Sequence, residues 1–195
     1  MAESARVKIL LRGFVEFEDK TFNGFAQPTI TLIEDGKNII IVDPGTIKDI
    51  KKLKNNLKKE GYDFDDVTHI VITHEHHDHY RNMGLFPNSI DIDFWGLWKG
   101  TFLEFNQEDR KLSDNVLILM TPGHDKSGIS LLVNTSNGKY AISGDVFYDL
   151  YGPKNDFFAD DKKQLLQSRK KLLKMADFII PGHGDVFKVE DYNPK

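Results

Sequence analysis

Four of the chain's seven histidines fall within six residues, in the run His74-Glu75-His76-His77-Asp78-His79. Imidazole and carboxylate groups at this density are ligands that suit zinc, iron or manganese. Side chains two apart on a strand point the same way. His74 and His76 are therefore expected to face one metal together, with Asp78 and His79 reaching a second position from the loop that follows. Three further ligand-type residues stand beside glycines, in Thr121-Pro122-Gly123-His124, Ser143-Gly144-Asp145 and Pro181-Gly182-His183-Gly184. Glycine lets a backbone pass close to a crowded centre. The chain has no cysteine, which excludes thiolate metal sites, disulfides and cysteine nucleophiles. A chance polar loop accounts well for a lone histidine, but poorly for four imidazoles and a carboxylate directly after an apolar run.

Each of these clusters follows a short apolar segment that reads as a strand: residues 69–72, Val116–Met120, residues 140–143 and Phe178–Ile180. Loops at the ends of rigid strands are favoured places for binding groups. Residues 7–17, 29–33, Asn38–Val42 and 129–133 read as further strands, and Asp43-Pro44-Gly45 is a turn signal. Ile47, Ile50, Leu53 and Leu57 stand at helical spacing, which predicts a helix over 47–60 stopped by Gly61, and a second helix is predicted over 161–175. The order strand-rich, helix, strand-rich, helix implies a layered α/β domain with sheets inside and helices outside.

The 195 residues suit one domain, with 39% hydrophobic and 29% charged residues as in globular proteins. No stretch approaches the roughly 18 apolar residues of a membrane span, and a cytoplasmic protein with no membrane partner is expected. A net charge of −4 weakens a pure nucleic-acid-binding reading, although a local basic rim can still serve a nuclease.

The ordered set His-x-His-x-Asp-His, then separate His, Asp and His residues, resembles the metallo-β-lactamase superfamily over nearly the whole chain. That resemblance implies an αββα four-layer sandwich, with residues 1–195 forming one hydrolase domain. It implies two divalent metal ions, zinc by default, with iron or manganese as alternatives. His74, His76 and His124 look like the ligands of the first ion, and Asp78, His79 and His183 like those of the second. Asp145 resembles the carboxylate that bridges both. A hydroxide shared by the two metals is then the nucleophile, Asp78 both ligates metal and orients it, and Ser127 and Ser143 are structural. Asp43 resembles an aspartate that supports the ligands from behind, with a plain turn role as the alternative.

Three stretches, Asn82-Met83-Gly84-Leu85-Phe86-Pro87, Gly144-Asp145-Val146-Phe147, and Ser168-Arg169-Lys170-Lys171 running on through Ala176-Asp177 to Pro181-Gly182-His183-Gly184, are similar to one member family to which a ribonuclease role is attributed. Tyr80-Arg81-Asn82 departs from the small residue and glycines that often follow the histidine motif. Only 37 residues separate Asp145 from His183, so the large inserted domain of RNA-processing relatives is absent. With Asp145 intact, the chain looks more like the glyoxalase-II and nuclease branches than the true β-lactamases.

Three functions follow. The first is hydrolysis of a small ester, thioester or lactone. The second is a metal-dependent ribonuclease with Arg81 and Lys126 as phosphate contacts. The third is a metal-bound binding or redox module without hydrolysis. Tyr148, three residues after Asp145, resembles a tyrosine with which lactone-cleaving relatives hold the substrate oxygen, packing being the alternative. A small-molecule substrate is expected as partner, with RNA and a second copy of the chain as further candidates. His77 and Glu75 read as solvent-facing, His69 as a packed histidine, and the lysines and arginine of 51–59 and 162–171 as solvated helix faces. Phe94, Trp95, Leu97, Trp98 and Phe102 read as core packing.

Overall fold

Runs such as Ile39-Ile40-Ile41-Val42 show no polar alternation, the pattern of a strand buried on both faces. The computed structural model, which describes residues 4–18, 23–152 and 156–192, bears this out. In chain order the first half holds β1 (Arg6–Leu11), β2 (Phe14–Phe17), β3 (Gly24–Gln27), β4 (Ile30–Asp35), β5 (Asn38–Val42), α1 (Ile50–Lys59), β6 (His69–Val71), α2 (His77–Tyr80), β7 (Ile90–Asp93), β8 (Gly96–Lys99) and β9 (Phe102–Phe105). The second half holds β10 (Arg110–Lys111), β11 (Val116–Met120), β12 (Ile129–Thr135), β13 (Gly138–Ile142), α3 (Lys162–Met175), β14 (Phe178–Ile180) and β15 (Phe187–Lys188). A seven-stranded sheet runs β1-β4-β5-β6-β7-β8-β9, a six-stranded sheet runs β10-β11-β12-β13-β14-β15, and β2 pairs with β3 in a separate hairpin.

Neighbouring residues on one strand point into different layers, and this builds the sandwich. Ile40, Val42 and Val71 of the first sheet meet Ile118, Leu131, Val133 and Ile142 of the second. Their strand neighbours Leu32, Ile41 and Ile70 face away and pack against Leu53 and Leu57 of α1. Leu119, Leu132, Ala141 and Ile179 face away on the other side, against Leu165 and Leu172 of α3. Helix, sheet, sheet and helix are thus joined by three apolar seams, the αββα arrangement expected. Asp49 caps α1 through Lys51 N–H (3.0 Å), and Asp161 caps α3 through Lys163 and Gln164 N–H.

Strand direction collects the candidate ligands. β5 and β6 are parallel, and α1 makes the crossover between them; β13 and β14 are parallel, and α3 makes theirs. β11 is antiparallel to β12, which is antiparallel to β13, so β11 and β13 run the same way. The segments after β6, β11, β13 and β14 therefore leave at one edge of the sandwich.

The strands expected over residues 7–17 are β1 and β2, parted at Gly13, where the chain leaves the sheet: a Cβ there would stand 2.5 Å from Thr29 N. Some expectations change. The aromatic segment is a meander of β7, β8 and β9. Phe94 and Leu97 pack on the central seam, whereas Trp95 and Phe102 are exposed, so the core reading holds for part of it. Arg169 is buried: its Nε donates to Val146 O (2.8 Å) and its guanidinium lies over the Phe147 ring. Lys171 is held by Asp109. Among the described residues, no helix is long and apolar enough to cross a membrane.

Candidate metal centre

His74 and His76 lie in a bend beyond the end of β6, so strand alternation is not what brings them together. The bend does: their rings sit 4.6 Å apart. His124 arrives after β11, Asp145 on a tight turn after β13, and His183 after β14. The seven expected residues gather into two groups. His74, His76, His124 and Asp145 form one, and Asp78, His79 and His183 form the other. His76 Nδ1 lies 3.0 Å from both His74 Nε2 and His124 Nε2. Asp145 stands between the groups. Its Oδ2 is 3.4 Å from His124 Nε2 and 3.9 Å from His74 Nε2, while Oδ1 is 3.3 Å from His183 Nε2 and 3.4 Å from His79 Nε2. Asp78 Oδ2 is 3.6 Å from both His79 Nε2 and His183 Nε2.

Whether these residues suit a cation can be read from their outer hydrogen bonds. His79 Nδ1–H donates to Asp43 Oδ2 (2.8 Å), His124 Nδ1–H to Asp156 Oδ2 (2.5 Å) and His183 Nδ1–H to Gln27 O (2.9 Å). Thr73 Oγ1–H is committed to Asp43 Oδ2 (2.7 Å), so this oxygen accepts from His74 Nδ1–H (3.0 Å). A neutral imidazole has one N–H. Four rings therefore aim bare Nε2 lone pairs inward, the arrangement in which outer partners prepare histidines for metal. His79 Nε2 and Asp145 Oδ1 are buried with no hydrogen-bond partner among the described residues. Orphaned buried polar atoms are costly, and a divalent cation satisfies both. The donor set fits such an ion.

Electrostatics agree. Burial works against the charged forms of Asp145, His79 and His183, yet mutual attraction overrides it. Asp145 is held well below the usual carboxylate range by His183 and His79. His79 is lifted well above its ordinary value by Asp43 and Asp145, and His183 is lifted by Asp145. His74 goes the other way, pushed well down by burial and by the ring of His79.

The glycines serve the crowding. A Cβ on Gly182 would stand 1.9 Å from Asp145 Oδ1, and one on Gly144, at φ +50°, would stand 2.4 Å from Thr73 Oγ1. Asp43 unites its two expected roles. It is the one described non-glycine residue at positive φ (49°), and it takes hydrogen bonds from Thr73 N–H, Thr73 Oγ1–H and His79 Nδ1–H.

Other expected residues separate from the centre. His77 and Glu75 are exposed, and Glu75 accepts from Trp95 Nε1 (2.9 Å). Arg81 and Lys126 are exposed. Ser143 Oγ bonds backbone carbonyls and Ser127 Oγ bonds Asp125, as structural serines do. His69 is half-buried at the far end of β6, beside Thr68 Oγ1. Tyr148 adjoins the centre, its ring 5.4 Å from His124 and 5.7 Å from His183.

Asp156 was not foreseen. It is 1% exposed and takes the Nδ1–H of His124. Burial pushes its pKa up, but its hydrogen bond with His124 holds the carboxyl below the usual range. It carries no ligand spacing that would mark it out. Also unforeseen is a groove of about 570 Å³ beside the centre, lined by residues 12–17 on one side and by Tyr148, Tyr151, Phe157 and Phe158 on the other, with Asp156 and His183 at its inner end.

A model described as the metallo-β-lactamase superfamily matches residues 23–109. Metallo-β-lactamase domain-containing protein 1 of Mus musculus is 34% identical, over 95% of this chain and 85% of that protein. The chain belongs to the metallo-β-lactamase superfamily. Two solved structures share its fold. A metallo-β-lactamase-type protein of Thermotoga maritima superposes with a TM-score of 0.76 at 20% identity, covering 95% of this chain and all 100% of that one. AidC, a dizinc quorum-quenching lactonase, does so with a TM-score of 0.63 at 19% identity, covering 82% of this chain and 73% of that one. Membership and the His/Asp cluster make this superfamily member a metal-dependent hydrolase.

Proposed function

We propose that the chain hydrolyses a small ester, thioester or lactone bearing an apolar arm, with two divalent metal ions, zinc by default. The observation that carries the reading is the split carboxylate of Asp145, which turns one oxygen toward His74 and His124 and the other toward His79 and His183. His76 completes the first ligand group and Asp78 the second. When bound, such ions polarise a scissile carbonyl and bring the pKa of water toward about 7. Asp78, half-buried beside His79 and His183, orients the attacking water. Tyr148 donates its O–H to the substrate oxygen, exchanging Asp156 Oδ1 (3.3 Å) for it. Burial and the charge of Asp145 keep that phenol protonated, as a donor must be. The apolar arm lies in the groove, whose aromatic walls suit it.

Arg12, the one arginine or lysine among the described residues that line the groove, is paired with Asp185 (3.0 Å), which supports a neutral substrate over a polyanion. A parallel screen of the metal-loaded protein on a thioester, a lactone, a phosphodiester and single-stranded RNA tests this. Turnover of the thioester or lactone is expected. Cleavage of RNA alone would overturn the substrate class, and metal uptake below one equivalent would overturn the two-metal centre.

A further inference from the structure

The segment between Asp156 and α3 is fastened to the loop that carries His124. Asp160 N–H donates to His124 O (3.1 Å), Asp161 N–H to Gly123 O (2.9 Å) and Lys126 N–H to Asp160 Oδ2 (3.1 Å). The same segment bears Phe157 and Phe158, which wall the groove, and Phe158 approaches Phe17 on the opposite wall with ring centroids 6.1 Å apart. Asp156 joins the two. Its Oδ2 takes His124 Nδ1–H, and its Oδ1 takes Phe158 N–H (2.9 Å) and Tyr148 O–H (3.3 Å). The opposite wall hangs on the other ligand group. Gly13 N–H donates to Thr29 Oγ1 (3.1 Å), Thr29 Oγ1–H donates to Gly184 O (2.9 Å), and Gln27 O accepts from His183 (2.9 Å). Each wall of the groove is thus hung on a ligand from a different half of the centre.

We infer that Asp156 is a positioning residue serving the metal centre and the groove at once. One oxygen selects the ring orientation and tautomer of His124, and the other holds the wall that receives the substrate's apolar arm. The inference rests on the hydrolase reading for what His124 ligates. A carboxylate with acceptors on both oxygens does this; an amide does not. In Asp156→Asn the single amide oxygen goes to His124 Nδ1–H, because a ring that binds metal through Nε2 must carry that proton. The amide NH2 then faces Phe158 N–H, donor against donor, and the wall loses its anchor.

The test measures zinc affinity by chelator competition, together with binding of the uncharged fluorophore N-phenyl-1-naphthylamine to the zinc-loaded protein. Melting curves show that each variant is folded. Asp156→Ala is expected to weaken zinc at one site by about 10–100-fold, the usual cost of losing a ligand's outer partner, and to weaken fluorophore binding as well. Asp156→Asn is expected to recover most of the zinc affinity and none of the fluorophore binding. Phe158→Ala is expected to lose fluorophore binding alone. Zinc affinity in Asp156→Ala equal to the parent's overturns the inference, as does Asp156→Asn gaining or losing both properties together. If the alanine variant fails to fold, the asparagine variant decides alone. A parent that takes up none of zinc, iron(II) or manganese(II) overturns the hydrolase reading and with it the His124 role, while fluorophore binding still judges the wall.

Discussion

The centre and the groove lie side by side but are built on opposite terms. The centre is dense and buried: His74, His79, His124 and Asp145 are each at most 5% exposed, and outer hydrogen bonds fix the rings. The groove is open and apolar, with Phe157 at 74% and Phe158 at 45% exposure. A buried polar cluster tolerates little change, because each lost partner leaves another group unsatisfied. An open aromatic wall loses only contact area. Chemistry is therefore expected to reside in the first region and substrate choice in the second, and substitutions should divide the same way.

The largest effect belongs to Asp145. Asp145→Ala removes the carboxylate facing both groups and takes the nearer carboxylate oxygen away from His79 Nε2 and His183 Nε2. The variant is expected to lose at least one metal and nearly all turnover while remaining folded. Elemental analysis and circular dichroism check this, and unchanged metal stoichiometry would show that Asp145 does not hold the two groups together. Next comes metal removal. A ligand at about a hundred times its Kd stabilises by about 2.7 kcal/mol, and at about 2–4 °C per kcal/mol for a chain of this size chelation is expected to lower Tm by roughly 5–10 °C. Zinc should restore it. A Tm indifferent to chelator would mean that the orphaned atoms need no cation.

The groove should answer differently. Phe158→Ala is expected to raise KM about tenfold for a substrate with a long apolar arm, the scale of a partly buried aromatic side chain, and to leave kcat and metal content alone. An equal rise for an acetyl ester would show that Phe158 supports the centre rather than the arm. Tyr148→Phe sits on the border. It is expected to lower kcat several-fold, within the range of a single hydrogen bond worth about 1 kcal/mol, without loss of metal. An unchanged kcat would return Tyr148 to packing.

The same contrast governs what could be read without coordinates. Every residue of the two groups stood out, because each follows an apolar strand in the chain; His124, Asp145 and His183 also stand beside glycines, and a Cβ on Gly182 would collide with Asp145 Oδ1. The layers were legible too, since doubly buried strands such as β5 and β11 are continuous apolar runs. The support was not. Gln27 holds His183 through its backbone carbonyl, which no residue type announces. Asp156 acts through a tertiary contact 32 positions from His124. The groove joins residues 12–17 to Tyr148, Tyr151, Asp156, Phe157 and Phe158, and no local pattern links them. The β7–β9 meander misled because an exposed Phe102 and a packed Phe94 look alike in composition.

The smallest expected effect sharpens the comparison most. A polyanionic substrate would extend beyond both regions onto the surface, where Arg81 and Lys126 stand exposed near the histidine motif and His124. Each phosphate neutralised there releases counterions, contributing about −0.7 to −0.9 to the slope of log affinity against log salt. A neutral ester bound by aromatic walls releases none. The double variant Arg81→Ala with Lys126→Ala is therefore expected to turn over ester or lactone within about twofold of the parent, since surface substitutions away from a site usually matter by less than about 0.5 kcal/mol, and both proteins should be nearly insensitive to salt. Stopped-flow rates from low to high sodium chloride read this directly. A parent that binds RNA with a steep salt slope, flattened in the double variant, would move substrate choice from the groove to these two cations, and the aromatic walls would then need another occupant.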